Sequence, residues 1–188
     1  LKAILRTEAT PHTKLISLFN SEEVGSNTLN GAGSSFLDSV IERLSGSREE
    51  YFRCLSNSLQ VSADGAHGVH PNYSSKHDSG CRPVLNGGPV IKMNANNKYS
   101  SSDISKAYFS LCADAMGVNV QYFVSRNDMP CGSTIGPITS ARTGIKSVDV
   151  GNAFLSMHSV REMGGTSDHE DMIKVLVEHL KGTVSISD

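Results

Sequence analysis

Five short runs of apolar and β-prone residues punctuate the chain: Lys14–Phe19, Leu59–Ala63, Pro89–Met93, Asn119–Val124 and Ile145–Val150. Between them the apolar residues repeat with a helical period. This alternation constrains the fold more than any other feature. Strands with nearly continuous apolar side chains bury both faces, so helices must cover the sheet on either side. The expectation is an α/β fold, a three-layer α/β/α domain. Gly33–Leu44 carries a stripe of Phe36, Leu37, Val40, Ile41 and Leu44, and Glu49–Leu55 adds a short helix. Ile104, Ala107, Tyr108, Leu111, Cys112, Ala115 and Met116 mark the cleanest helix, capped at Ser101, Ser102 or Asp103 and ended by Gly117. Thr134–Thr143 reads as a helix ending at Gly144. The last helix opens on the capping-box pattern Ser167-Asp168-His169-Glu170 and closes near Lys181-Gly182. Gly80–Gly88 is a loop rather than a linker, so residues 1–188 read as a single domain.

Bulk properties exclude several classes. With 188 residues the chain can bury one real core. A net charge of −2 offers no basic surface for nucleic acid. No apolar run approaches the roughly 18 residues that span a bilayer. Cys54, Cys81, Cys112 and Cys131 are scattered without a CxxC pair, which disfavours a thiolate zinc site and fits a reducing cytoplasmic compartment. The first residue is Leu1, and Leu1–His12 reads as a connecting segment without a signal-peptide pattern. The expectation is therefore a piece of a longer protein.

The chemistry concentrates in a few places. Glu22 and Glu23 follow the apolar run Leu15–Phe19, and Gly25-Ser26 turns the chain away. A carboxylate removed from water must be paired, protonated or bound to a cation. Adjacent side chains at a strand end diverge, so one can ligate a metal while the other serves as a base. The plain alternative is a solvated acidic loop. Asp64 sits where the second strand is expected to end, with His67 and His70 in a Gly- and Pro-rich loop after it; here the alternative is a turn-capping Asp with two polar histidines. His158, in Met157-His158-Ser159-Val160-Arg161-Glu162, is either a ligand or a structural His. Arg126–Gly136 joins a strand to a helix through small residues whose backbone N–H groups can receive a carboxylate or an oxyanion, or simply turn the chain. Lys92, inside the apolar run Val90–Met93, either reaches the surface or waits for an acidic group. Glu23, Asp64 and His158 together suit zinc, cobalt or manganese, and Glu22 beside them suits a base. That combination points to hydrolysis.

Taken in order, the motifs resemble the aspartyl aminopeptidase family, cytosolic co-catalytic zinc aminopeptidases. They are Ser21-Glu22-Glu23-Val24-Gly25-Ser26, Ser62-Ala63-Asp64 with His67, His70-Pro71-Asn72-Tyr73, Gly88-Pro89-Val90-Ile91-Lys92, Arg126-Asn127-Asp128 with Pro130-Cys131-Gly132, Thr134-Ile135-Gly136-Pro137, and Met157-His158-Ser159 with Arg161-Glu162-Met163. The resemblance runs from about Leu15 to the last helix. It implies that Glu22 is the general base for a metal-bridging water, Glu23 and His158 ligands of one metal, and Asp64 a ligand of the other. Lys92 matches the residue that pairs with the acidic side chain of a substrate's N-terminal Asp or Glu, with His67, His70 and Tyr99 near the site. The implied cofactor is zinc, two ions per active site in a full-length enzyme; the implied partners are peptides with an acidic N-terminal residue and further copies in a homo-oligomer.

The family pattern also includes an earlier His, a metal-bridging Asp and an inserted β-rich oligomerisation domain. None of these is matched here, so the chain resembles the C-terminal part of the catalytic domain. With an incomplete ligand set the isolated chain is expected to bind zinc weakly and to show little activity. The competing reading is a non-catalytic fragment or paralogue that acts through assembly contacts.

Overall fold

The computed structural model describes residues 1–185. Four of the five expected runs form strands: β1 (Leu59–His67), β2 (Val90–Met93), β3 (Gln121–Val124) and β4 (Lys146–Leu155). A two-residue strand, β5 (Met163–Gly164), pairs with the end of β4. The sheet order is β1-β4-β2-β3. β1 runs parallel to β4 from Leu59↔Lys146 to His67↔Phe154, and β2 runs parallel to β3. β2 meets β4 antiparallel at Val90↔Gly151 and Ile91↔Val150. The sheet is therefore mixed, and β4 is its central strand.

Helices α1 (Lys2–Leu5), α2 (Phe36–Ser45), α3 (Arg48–Ser56), α4 (Asp103–Ala115), α5 (Ile135–Thr143) and α6 (Thr166–Lys181) complete the domain. The two faces of the sheet differ, because alternate side chains point to opposite sides. Ile91, Val148 and Val150 face α4 and α6 and pack with Phe109, Cys112, Met172 and Val175 into the main core. The opposite face carries Ser62, Asp64, Lys92, Asp149 and Gly151 and meets α5, where Gln60 donates to Thr139 Oγ1 at 2.6 Å. One face is the stabilising core and the other is polar, with helices over both, which is the expected three-layer α/β arrangement.

Helix caps follow local chemistry where nothing else competes. α4 is capped by Ser102, whose hydroxyl accepts from Ser105 N while the Ser105 hydroxyl accepts from Ser102 N. α5 ends at Gly144 with φ +72°. The capping box expected at the start of α6 does not form. Asp168 turns instead to the loop before β2, accepting from Asn86 N at 2.7 Å and Gly88 N at 2.8 Å. Ser167 donates its hydroxyl to Asn86 Oδ1 at 2.8 Å. Two loop amides, that of Gly88 buried, outcompete a local cap.

Three further expectations change. Lys14–Phe19 forms no strand, and Leu15, Ile16 and Leu18 are exposed. A strand needs a ladder neighbour, and among the described residues none lies beside this segment. Glu22 and Glu23 therefore do not end a buried strand. β1 also runs on through His67, which places Asp64 within the strand rather than at its end. The stripe of α2 is only partly used: Leu37 is buried, but Phe36 and Leu44 are exposed.

Candidate active site

Glu22–Val24 form a single 3-10 turn held by a tight loop. Ser21, Gly25 and Ser26 all take left-handed backbone angles, and Ser26 N closes the loop on Ser21 O at 2.8 Å. Gly31 packs so closely beneath it that a Cβ would stand 2.1 Å from Ser26 O. The loop that follows β4 is built similarly, with Ser156 at φ +57° and His158 at φ +68°. Left-handed non-glycine residues are uncommon and costly. Four of the six in the described chain (Ser21, Ser26, Ser156 and His158) flank or form the proposed site.

These loops and the polar sheet face enclose a cavity of about 670 Å³ lined by Glu22, Glu23, Asp64, His67, Lys92, Tyr99 and His158, with Gly132, Ser133, Thr134, Met157 and Glu162 among its other walls. Glu23 Oε1 lies 3.0 Å from His158 Nε2, both side chains being largely exposed. Glu162 holds the His158 loop by accepting from His158 N at 2.5 Å. Lys92, only 2% exposed, donates to Asp64 Oδ2 at 3.2 Å and to Gly65 O at 2.8 Å. Its Nζ sits 5.2 Å from the centroid of the Tyr99 ring. The buried lysine therefore neither reaches the surface nor stays unpaired: it binds the cavity wall.

Burial raises the Glu22 carboxyl above its usual range, and the neighbouring Asp64 and Glu23 charges add to this against the opposing pull of Lys92 and His158. A carboxylate moved toward neutrality holds a proton more readily, as a base that must later return one requires. Burial lowers His67, helped by the nearby His77 and by Lys92. Burial also pushes the Tyr99 phenol far up, with the Cys131 thiol contributing, so the ring presents a neutral hydroxyl.

The donors fit part of a zinc site. Two protein ligands of one tetrahedral zinc stand about 3.3 Å apart, close to the Glu23–His158 separation. Zinc sites use at least three protein ligands, and among the described residues no three His, Cys, Asp or Glu side chains gather around one point. Asp64 Oδ2 pairs with Lys92, and among the described residues Asp64 does not join Glu23 and His158 in one ligand group. The residues present thus supply a half-site and not a complete one.

Residues 1–179 match the family model of the aminopeptidase I zinc metalloproteases, M18. The chain belongs to the M18 family. Among M18 relatives, the probable M18 family aminopeptidase 2 of Pseudomonas syringae pv. syringae is 46% identical over 176 residues, covering 94% of this chain and 41% of that protein. The Clostridium acetobutylicum counterpart is 45% identical over 173 residues, covering 90% of this chain and 40% of that protein. A chain in the cryo-EM structure of the Ape4 and Nbr1 complex superposes with a TM-score of 0.82 at 41% identity, covering 89% of this chain and 34% of the other. Yeast aminopeptidase 1 gives 0.75 at 30% identity, covering 87% and 37%. The mixed α/β fold is thus that of solved M18 enzymes, and the family is one of zinc metallo-aminopeptidases. The chain spans about 41% of the length of the curated M18 relatives it matches.

The structure brings Glu22, Glu23, Asp64, His67, Lys92, Tyr99 and His158 of this M18 chain to one cavity. It does not bring His70. That side chain caps the 3-10 turn Pro71–Lys76 by accepting from Asn72 N at 3.1 Å and packs on Tyr73. A turn beginning His-Pro-Asn has a local use for the ring that the sequence reading passed over. Conversely, Thr134 and Glu162 join the walls. Glu162 was legible as the carboxylate four residues beyond His158, and Thr134 as part of the small-residue turn Arg126–Gly136, although nothing in residue order pointed to a partner for its side chain.

Proposed function

We propose that this polypeptide contributes to a metal-dependent aminopeptidase that releases N-terminal Asp or Glu from peptides. One observation carries the reading: a general-base candidate, two ligand-type side chains 3.0 Å apart and a buried lysine share a single cavity. Glu22 takes the proton from the attacking water and returns it to the leaving amine. Lys92 recognises the acidic side chain, because a buried cation beside an aromatic ring favours a carboxylate and rejects a neutral group. Glu23 and His158 would hold one zinc and Asp64 a second, the metals supplying an activated water there. Tyr99 and His67 shape the pocket around them. Cobalt or manganese suits the same donors.

The chain is read as part of the M18 catalytic domain, with the N-terminal ligand segment and the inserted β-rich domain lying outside it. It works in the cytoplasm as a homo-oligomer, and the dodecamer of S. cerevisiae mApe1 supports the assembly. On its own it binds zinc weakly and turns over little substrate. The incomplete donor set also supports a second reading, a non-catalytic relative acting through assembly contacts.

The deciding experiment measures zinc content and cleavage of Asp-Ala by the 188-residue chain, alone and mixed with the N-terminal part of an M18 relative. Activity that appears on mixing and disappears in Glu22→Gln supports the enzyme. Zinc-independent activity, or activity unaffected by Glu22→Gln, overturns the mechanism. No activity in either sample favours the assembly reading.

A further inference from the structure

Asp149 lies at the middle of β4, fully buried, and the proposed chemistry does not use it. Its Oδ1 accepts from Thr134 Oγ1 at 2.6 Å. Its Oδ2 accepts from Ser100 N at 2.6 Å and Ser100 Oγ at 2.8 Å. Its own N–H donates to Ser101 Oγ at 3.0 Å. All these side-chain partners are uncharged. A carboxyl group out of water is expensive to hold, and an apolar residue in a central strand is usually the more stable choice. A fully satisfied buried network instead fixes one arrangement of the segments it joins.

The two joined segments are both walls of the cavity. Ser100 follows Tyr99, whose ring lies beside the Lys92 ammonium. Thr134 ends the turn whose Gly132 and Ser133 also line the cavity. Ser133 Oγ donates to Lys98 O at 3.2 Å, tying the same two segments together a second time. Lys92 and Asp149 stand one step beyond the Ile91↔Val150 pair and face the same side of the sheet. At α5 the Thr134 hydroxyl makes no cap and is directed instead to Asp149, to which it donates. The carboxylate also packs against the first turn so tightly that a Cβ at Gly136 would stand 2.4 Å from both its oxygens.

We propose that Asp149 is a positioning residue that holds Tyr99 and the Gly132–Thr134 turn on either side of the Lys92 end of the cavity, and so sets affinity for acidic N-terminal residues. The affinity half of this statement rests on the substrate reading given above; the positional half does not.

Asp149→Asn tests it in the 188-residue chain, because the amide keeps one acceptor oxygen where the carboxylate offers two and so cannot accept from both the Thr134 and the Ser100 segment. The expected result has three parts. Hydrogen exchange at the Ser100 amide accelerates about tenfold, the cost of one charge-assisted hydrogen bond. The resonances of Gly132, Ser133 and Thr134 shift while α6 keeps its protection. Affinity for the dipeptide Asp-Ala, measured by calorimetry, falls about tenfold. Unchanged Ser100 exchange with unchanged affinity overturns the proposal, as does exchange that accelerates uniformly through the sheet. If wild type does not bind Asp-Ala, the substrate reading fails, and Ser100 exchange alone then decides the positional role. Should Asp149→Asn not fold, Ser100→Ala and Thr134→Val each remove one donor and keep the carboxylate. Each then loosens its own wall if the proposal holds and leaves it unchanged if it does not.

Discussion

Lys92 reaches across the intervening strand β4 to Asp64 on β1, with Nζ 3.2 Å from Oδ2 and 2.8 Å from the carbonyl oxygen of Gly65. The crossing depends on Gly151, which pairs with Asp64 on one side and Val90 on the other. A Cβ at Gly151 would stand 2.2 Å from Asp64 O. The lysine is buried while its carboxylate partner is 41% exposed, so the two ends of the pair respond differently to loss of the other.

Lys92→Met removes the buried cation and leaves Gly65 O without its donor, while Asp64 is rehydrated. The expected cost is about 1–3 kcal/mol in urea unfolding, the penalty of one unsatisfied buried acceptor. Asp-Ala affinity should drop with it and Ala-Ala affinity should not. Equal losses on both dipeptides would count against an acid-recognising lysine.

Gly151→Ala should destabilise by more than the small propensity change alone, because backbone of β1 has to move. A shift of the Asp64 and Gly65 amide resonances with α4 unaffected is the expected signature. A silent substitution would mean that the strands have slack that their register does not show.

Zinc should bind weakly, through Glu23 and His158. Calorimetry is expected to give an affinity reduced at least about tenfold by either Glu23→Gln or His158→Ala, the loss of one of two ligands. Chelator should leave the melting temperature within about 2 °C, well under the change a structural zinc produces on removal. A large chelator-induced drop would reveal a structural metal that the described donors do not form.

Stability should fall in acid through His179. Burial holds this imidazole down at about 4, and its Nδ1 lies 3.0 Å from the Tyr108 hydroxyl. The unfolded chain protonates it near 6.5. The folded state therefore binds fewer protons between those values. The contribution is fully present above pH 6.5 and is lost as pH falls toward 4, at up to about 1.4 kcal/mol per pH unit. Urea unfolding from pH 7 to 4.5 should show that slope, and His179→Gln should flatten it. An unchanged slope in the variant would place the acid sensitivity elsewhere.

Asp168→Asn should cost about 1–3 kcal/mol, because the side chain keeps only one acceptor oxygen for the amides of Asn86 and the buried Gly88. Chemical denaturation provides the measurement. A cost near zero would show that the loop before β2 holds itself without α6.

The local patterns of this chain were enough to place β1 to β4 and helices α2 to α6, since burial on two faces and the 3.6-residue period are written into residue order; the short α1 falls in Leu1–His12, which reads only as a connecting segment. They also drew attention to Glu22, Glu23, Asp64, Lys92 and His158 by residue type and spacing, and the fold brings all five to one cavity. Tertiary structure decided the rest, because each remaining outcome depends on a distant competitor. Lys14–Phe19 has strand-forming residues but no neighbouring strand among the described residues, so it does not become one. Asp168 had a local cap available and went to amides eighty and eighty-two residues away. His70 was taken by its own turn. Asp149 carried no motif, and its meaning appears only when Ser100 and Thr134 arrive from either side. Residue order sets what each segment prefers; which preference is realised depends on which partner the fold delivers to a buried polar group that cannot be left unsatisfied.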